Sequence, residues 1–400
     1  MRNLKQTKRF IFLFLLGTLL YSCSENEQFE TKVEEQNNEN FIELSQATEI
    51  GEEIHFATKT SNNKSKGNLN TSKKRTIKSV NQAKNNNGKT SYYIINYNEG
   101  GFILLSADNR TQPIIGYSKE GNFETDKNLY SLGLQFWTED AKQQILEIQN
   151  SNIKQSAKEK IAWKQIQNIL TNQSLFSKEP DYECYRHTET YTKGPLLSSK
   201  WHQNDGFNND LSSITCGGYS RKVDAGCVPI AMGQVMKYYE YPTNYNWTSM
   251  PSNYGTTTTS NFILDIHNAI KNEYSAWPSY DCYGTSVASQ ANMGHVLKTQ
   301  FSYSRADWAN FNYRTVINNI SYNKPVILSG DNGNTGHMWV CEGYRRTTFH
   351  FDDCTGVGYL HFYMNWGWGG SNNGWFSFNN FNPANTHYNN NKKMIYNITP

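Results

Sequence analysis

Cys227 stands in Ala225-Gly226-Cys227-Val228-Pro229-Ile230-Ala231-Met232, behind a Gly and two residues ahead of a Pro, where an amphipathic segment opens. Pro is tolerated in the first turn of a helix because its missing N–H would have no acceptor there. The spacing therefore predicts a helix near whose N-terminus the Cys sits, and the positive end of that helix lowers a thiol's pKa and favours the nucleophilic thiolate. A thiolate that attacks a carbonyl needs an imidazole to hold the ion pair and then protonate the leaving group, and that imidazole usually comes from elsewhere in the chain. Of nine His, His337 is the best candidate, at the start of a strand-like run after the Gly/Asn-rich Asn334-Thr335-Gly336. His55 and His187 lie in or near the first half, and His267 and His295 fall in helical patterns that suit surface or core.

Two further blocks could complete such a site. Asn365-Trp366-Gly367-Trp368-Gly369-Gly370 ends another predicted strand, where the Asn365 amide could orient the imidazole and the Trp366 indole could shield that bond from water. Gln203, in Trp201-His202-Gln203-Asn204, could donate to a tetrahedral oxyanion together with the Cys227 backbone N–H. Each residue taken singly also has a structural reading: a buried small Cys at a helix start, a strand-end His, a Gly-rich turn packed with aromatics. Cys216, in the stretch Leu211 to Arg221, is a rival thiol with no helical pattern beginning at it. No two Cys have CxxC spacing and no Cys/His cluster has zinc-ligand spacing, so neither a metal nor any other cofactor is expected. Six Cys besides Cys23 would permit three disulfides in an exported protein, in pairings that spacing leaves open.

The elements that must position these residues are readable in outline. Four hundred residues suffice for two domains. Eight of the ten Trp follow residue 190, so the chain changes character near residues 175–195. Residues 24–40 and 57–90 are polar and read as tether and solvated loop, with one short helix between Phe41 and Phe56. Tyr92–Tyr97, Phe102–Ala107 and Pro113–Tyr117 read as strands, and Leu129–Gln149 and Lys158–Leu170 as helices, which makes the first half a small α+β unit. In the second half helices are expected at Val228–Tyr239, Ser260–Lys271, Ser286–Gln300 and Tyr313–Tyr322. Strands are expected at Pro325–Ser329, His337–Tyr344, Phe349–Asp352, Tyr359–Asn365 and Trp375–Phe378. Helices first and an antiparallel sheet second is an α+β arrangement. A net charge of +3 without an aromatic-interleaved basic stripe argues against nucleic acid as a partner.

Arg2, Lys5, Lys8 and Arg9 precede the apolar run Phe10 to Leu20, the pattern of a signal peptide over residues 1–22, too short for an ordinary transmembrane span. Leu20-Tyr21-Ser22-Cys23 resembles the bacterial lipobox, which makes Cys23 a lipid anchor and the precursor an exported lipoprotein of the outer membrane or cell surface; the plain alternative is a secretory signal with an incidental Cys.

Trp201-His202-Gln203, the run from Gly226-Cys227 through Met236-Lys237-Tyr238-Tyr239 to Tyr241-Pro242, Gly336-His337, and Asn365-Trp366-Gly367-Trp368-Gly369-Gly370 occur in the order found in the streptopain-like family, which they resemble over about residues 190–384. That resemblance implies a papain-like cysteine protease fold, a helical part plus an antiparallel sheet, with Cys227 as nucleophile, His337 as base, Gln203 as oxyanion donor and Asn365 with Trp366 supporting the His. Tyr92-Tyr93-Ile94-Ile95-Asn96, Gly101 to Arg110 and Ile114 to Ser118 resemble the family's inhibitory pro-segment. The implied organisation is a signal peptide over 1–22, a polar tether over 23–40, an inhibitory pro-domain over 41–185 and a protease domain over 186–400. The implied partners are protein or peptide substrates, the chain's own pro-domain, and a membrane through the lipid on Cys23. Two departures stand out: Asp205-Gly206-Phe207-Asn208 replaces a Pro-Tyr-Asn usual after the Gln, and Leu211 to Arg221 is an insertion. An inactive papain-fold binding module and an amidase or transglutaminase-like acyl transferase remain as rival readings.

Overall fold

In the computed structural model, residues 39–53, 75–130, 132–170, 187–288, 291–331, 336–350, 356–377 and 392–400 are described. The signal peptide, Cys23, most of the tether, Cys184 and Cys354 lie outside the described residues. The first half contains α1 (Leu44–Glu53), β1 (Ile77–Lys84), β2 (Thr90–Tyr97), β3 (Phe102–Ser106), β4 (Ile114–Ser118), α2 (Leu132–Gln149) and α3 (Ala157–Leu170). The second half begins with β5 (His187–Lys193), β6 (Ser213–Cys216), β7 (Tyr219–Lys222), α4 (Cys227–Tyr239), α5 (Thr257–Glu273), β8 (Ser279–Asp281), β9 (Gly284–Ser286) and α6 (Met293–Phe301). It continues with β10 (Arg305–Asn310), α7 (Tyr313–Ser321), β11 (Val326–Asp331), β12 (Gly336–His350), β13 (Gly356–Asn365), β14 (Gly374–Ser377) and β15 (Lys393–Thr399). Among the described residues no helix is long and apolar enough to cross a membrane.

Helix α4 is the spine of the second half. Its first ten residues, Cys227 to Met236, are all buried, as expected of a helix that is apolar on almost every side. It ends where Glu240 turns left-handed and returns its N–H to the carbonyls of Met236 and Lys237. Gly233 lets the Trp201 ring press against the helix, since a Cβ there would meet that ring at 3.0 Å. Side-chain caps set the other helices: Thr256, Asn292 and Asn312 accept from the first-turn N–H groups of α5, α6 and α7. The Asn292 cap starts α6 at Met293, so the helix expected from Ser286 is shorter and its first residue belongs to β9.

The two halves share one antiparallel sheet, ordered β1-β2-β3-β4-β14-β13-β12-β11-β15-β10, with β5 added to the far part of β12. The junction is the pairing of β4 with β14, Trp375 opposite Tyr117 and Phe376 opposite Gly116. Gly116 is needed there because a Cβ would stand 3.0 Å from both Leu104 and Phe376. Arg345 on β12 lies over the rings of Tyr117 and Trp375, 5.6 and 4.8 Å from their centres. Lys392 reaches Asp140 of α2 at 2.9 Å. On one face α4, α5 and α6 bury their apolar sides with Met338, Val340 and Ile395. On the other, Tyr92, Phe102, Leu104 and Trp137 of the first half share a core with Trp339, Phe362, Trp366 and Phe376 of the second.

Two expectations are corrected. Part of the expected solvated loop at 57–90 is strand β1, an edge strand with a single buried residue, Ala83, which carries too little apolar signal to be read. The strands expected at His337–Tyr344 and Phe349–Asp352 are one strand as far as His350; the polar stretch Arg345 to Thr348 pairs with β5 on one side and β13 on the other.

Trp137 fastens the junction between the halves: its Nε1–H donates to the Ser377 carbonyl at 2.9 Å, and its ring lies edge-on to Phe376 with centres 4.8 Å apart. Trp137→Ala is expected to destabilise the full chain by about 3–5 kcal/mol, read as a lower midpoint in chemical denaturation. An unchanged midpoint would mean that the junction contributes nothing to the shared core.

Candidate active site

Cys227 is the first residue of α4, and Gly226 before it has φ 84°, a conformation that favours glycine. A Cβ on Gly226 would also meet Thr285 at 3.0 Å. Cys227 is 6% exposed, and burial is the largest influence on its thiol, pushing the pKa up. The backbone N–H groups of Met338, Cys227 and Val228 act the other way. The lowering expected from the helix end is therefore present, in the donors of Cys227 and Val228, but desolvation outweighs it. The Met338 donor has a second meaning: it belongs to the residue after His337, so the start of β12 comes up to the thiol. His337 is 6% exposed and sits opposite Gly330 of β11.

Gln203 is brought to the same place by backbone pairing, its carbonyl accepting from the Ala225 N–H at 2.7 Å. Its Nε2 is buried and has no hydrogen-bond partner among the described residues. A buried donor left without an acceptor costs free energy unless something arrives to accept from it. The neighbouring Trp201 donates its N–H to Oε1 of Gln234 on α4 at 3.1 Å and accepts at its carbonyl from Gly369 at 3.0 Å. His202 packs edge-on against Trp368, ring centres 5.3 Å apart. The loop after β13 is thereby laid on the Trp201-His202-Gln203 block.

Asn365 lies at the centre of a buried polar junction. Its Nδ2 donates to the Ser199 carbonyl at 2.9 Å, to Oε1 of Glu342 at 3.1 Å and to Oε1 of Gln234 at 3.3 Å, and its Oδ1 accepts from Gly367 at 3.3 Å. None of its partners among the described residues is His337, so the amide ties α4, β12, β13 and the segment before Trp201 together rather than holding the imidazole directly. Trp366 is likewise built into the core: its Nε1–H donates to the Asn372 carbonyl, and its ring lies 5.5 Å from Trp339 and 5.2 Å from Phe376. Gln234 and Glu342 were not singled out by sequence. Each left a signal, Gln234 as the one polar side chain in the apolar run Val228 to Met236 and Glu342 as a lone carboxylate inside an apolar strand run. Among the described residues no cluster of His, Cys, Asp or Glu could hold a metal ion.

The rival thiol is occupied: Cys216 is bonded to Cys282, joining the β6–β7 hairpin to the β8–β9 hairpin. Cys227 and Cys341 are free thiols, and Cys341 lies buried inside β12.

Residues 32–145 match the Spi protease inhibitor family, and residues 201–244 and 243–376 match the Peptidase C10 family. The chain is 23% identical over 337 residues to the thiol protease/hemagglutinin PrtT of Porphyromonas gingivalis, covering 73% of this chain but only 34% of that protein. It is 24% identical over 349 residues to streptopain of Streptococcus pyogenes, covering 74% of this chain and 75% of the other. Among solved structures, a fragment of prointerpain A from Prevotella intermedia superposes with a TM-score of 0.52 at 20% identity, over 80% of this chain and 99% of the fragment. The shared fold is that of a papain-like protease with its pro-domain.

The Glu342 carboxyl gives the junction a pH signature. Burial pushes its pKa from the ordinary 4.5 up to about 7, against the opposing N–H groups of Leu197 and Leu196, the Asn365 amide and the charge of Lys200. The folded chain then holds a proton that the unfolded chain releases between those two values. The corresponding stability is present below about 4.5 and is lost as pH rises through about 7. Glu342→Gln is expected to remove a fall in stability on the order of 1–3 kcal/mol across that window, seen as the difference between wild-type and variant denaturation curves. Parallel curves at every pH would refute it.

Proposed function

The chain belongs to the Peptidase C10 family, a streptopain-like cysteine peptidase carrying its Spi-type pro-segment, and from that premise we propose that it hydrolyses peptide bonds through a Cys227–His337 dyad. The observation that carries the proposal is the approach of β12, at the residue after His337, to a thiol at a helix N-terminus, beside a buried Gln203 amide with no partner among the described residues. In the first step His337 takes the proton of the Cys227 thiol, the sulfur attacks the scissile carbonyl, and the carbonyl π pair moves onto oxygen. Gln203 Nε2 and the Cys227 N–H donate to that oxyanion. As the intermediate collapses, the C–N bond breaks, His337 gives its proton to the departing amine, and a thioester remains. His337 then takes a proton from water, which attacks the thioester; the C–S bond breaks, and the acid leaves with Cys227 regenerated. Asn365 supports this arrangement through Gln234 and Glu342, and Trp366 through the packing beneath β12.

The first half acts as the inhibitor of the second until the chain is cut between about residues 175 and 195. The precursor is exported and anchored by a lipid on Cys23. Because Cys23 and Cys227 lie on opposite sides of that cut, the lipid stays with the pro-segment and the protease half leaves the membrane, unless a disulfide links Cys184 to that half.

Cys227→Ala in the full chain is expected to abolish both cleavage of denatured protein and labelling by a thiol-directed epoxide. Gln203→Ala is expected to lower kcat by roughly 10²–10³ with little change in KM. Proteolysis that persists in Cys227→Ala would sink the assignment.

A further inference from the structure

Ala225, two residues before Cys227, has both of its backbone polar groups occupied. Its N–H donates to the Gln203 carbonyl at 2.7 Å, and its own carbonyl lies 2.8 Å from Nε2 of His267 on α5. On the far side of the imidazole, Nδ1 is 3.0 Å from the Tyr280 hydroxyl of β8. The two rings lie parallel, 9° apart in orientation with centres 5.8 Å apart. A carbonyl can only accept, so Nε2 carries the proton and Nδ1 accepts from the phenol. The imidazole stays neutral, with burial pushing its pKa down to about 4. Tyr280 is itself held, because its hairpin is bonded to the β6–β7 hairpin through Cys282 and Cys216. From the same hairpin, Thr285 donates to the Asp224 carbonyl and lies against Gly226.

These contacts hold the two peptide units that flank the Ala225 Cα, Asp224–Ala225 and Ala225–Gly226. If the Ala225 carbonyl rotated away from His267, Gly226, which has no side chain to resist, would turn with it, and the Cys227 N–H would change direction. The Ala225 N–H belongs to the preceding peptide unit, whose Asp224 carbonyl is held by Thr285, so its bond to the Gln203 carbonyl is kept by the β8–β9 hairpin rather than by the imidazole. One imidazole therefore controls the aim of the Cys227 N–H without lying among the reacting atoms. We infer that His267, oriented by Tyr280, is a positioning residue for the Cys227 N–H, a role that rests on Cys227 being the nucleophile.

The test uses variants of the full chain, each processed by a tagged wild-type enzyme that is then removed. His267→Phe is expected to lower kcat about 10- to 100-fold, with KM within about twofold and the rate of Cys227 alkylation by iodoacetamide unchanged. His267→Gln, whose amide can still donate to the Ala225 carbonyl, is expected to recover most of the loss. Tyr280→Phe is expected to lose about 3- to 10-fold in kcat by releasing the outer hydrogen bond. A wild-type kcat in His267→Phe, or a Gln variant as impaired as the Phe variant, would overturn the role. Should His267→Phe fail to fold, Tyr280→Phe decides: reduced kcat at unchanged KM and melting temperature upholds the role, and a wild-type kcat overturns it. Activity retained by Cys227→Ala would instead overturn the assignment of the nucleophile, so the two failures are distinguishable.

Discussion

The buried polar junction around Asn365 is the constraint on which the site depends. A thiol on α4, an imidazole on β12, an amide in the segment before α4 and a Gly-rich loop after β13 come from four separate stretches of chain. Asn365 and Gln234 join α4 to β13, Glu342 joins β12 to Leu197, and Ser199 and Trp201 bring in the strand of chain that carries Gln203. Inside a protein such bonds are electrostatically stronger than in water, and leaving one group unpaired is correspondingly costly. Apolar packing alone would allow these segments to slide. Directional bonds at one buried point fix their register.

The sheet imposes a second constraint. The first half does not merely rest on the second; its strands continue the same hydrogen-bonded ladder through β4 and β14, and its side chains complete a common core. Backbone pairing of this kind holds an extended segment with little dependence on its side chains, while Tyr117, Trp375 and Arg345 make this particular register specific. Loss of the first half would leave β14 as an edge strand and would uncover Phe376 and part of the ring of Trp375. The docked half therefore protects a surface that is otherwise prone to association.

Local patterning made the strongly apolar elements legible. The spine α4 was visible because Pro229 and the apolar run after Cys227 fit only a helix start, and β2 to β4 because short apolar runs alternate with Gly and Asn turns. The edge strands β1 and β10 and the small hairpins β6–β7 and β8–β9 were not, since their residues are largely exposed and they are held by partners rather than by their own hydrophobicity. In the proposed site, residue type and order are what single out Cys227, His337 and Gln203. Gln234, Glu342 and His267 were hidden for a physical reason. A buried polar residue is explained by its partner, and theirs lie far away in sequence: Asn365 for Gln234 and Glu342, Ala225 for His267. His267 falls in a helical pattern that suits core or surface, and it is core, but core facing the Ala225 carbonyl, two residues before Cys227.

The state of the thiol follows from which influences on it can change. Three backbone donors, from Cys227, Val228 and Met338, are fixed by the start of α4 and by β12, elements that hydrogen bonds and a close-packed core hold in place. Burial, which outweighs them, depends only on what covers the sulfur. Admitting water to Cys227 therefore lowers the thiol's pKa without any movement of those donors, because desolvation weakens while the hydrogen bonds to the thiolate remain.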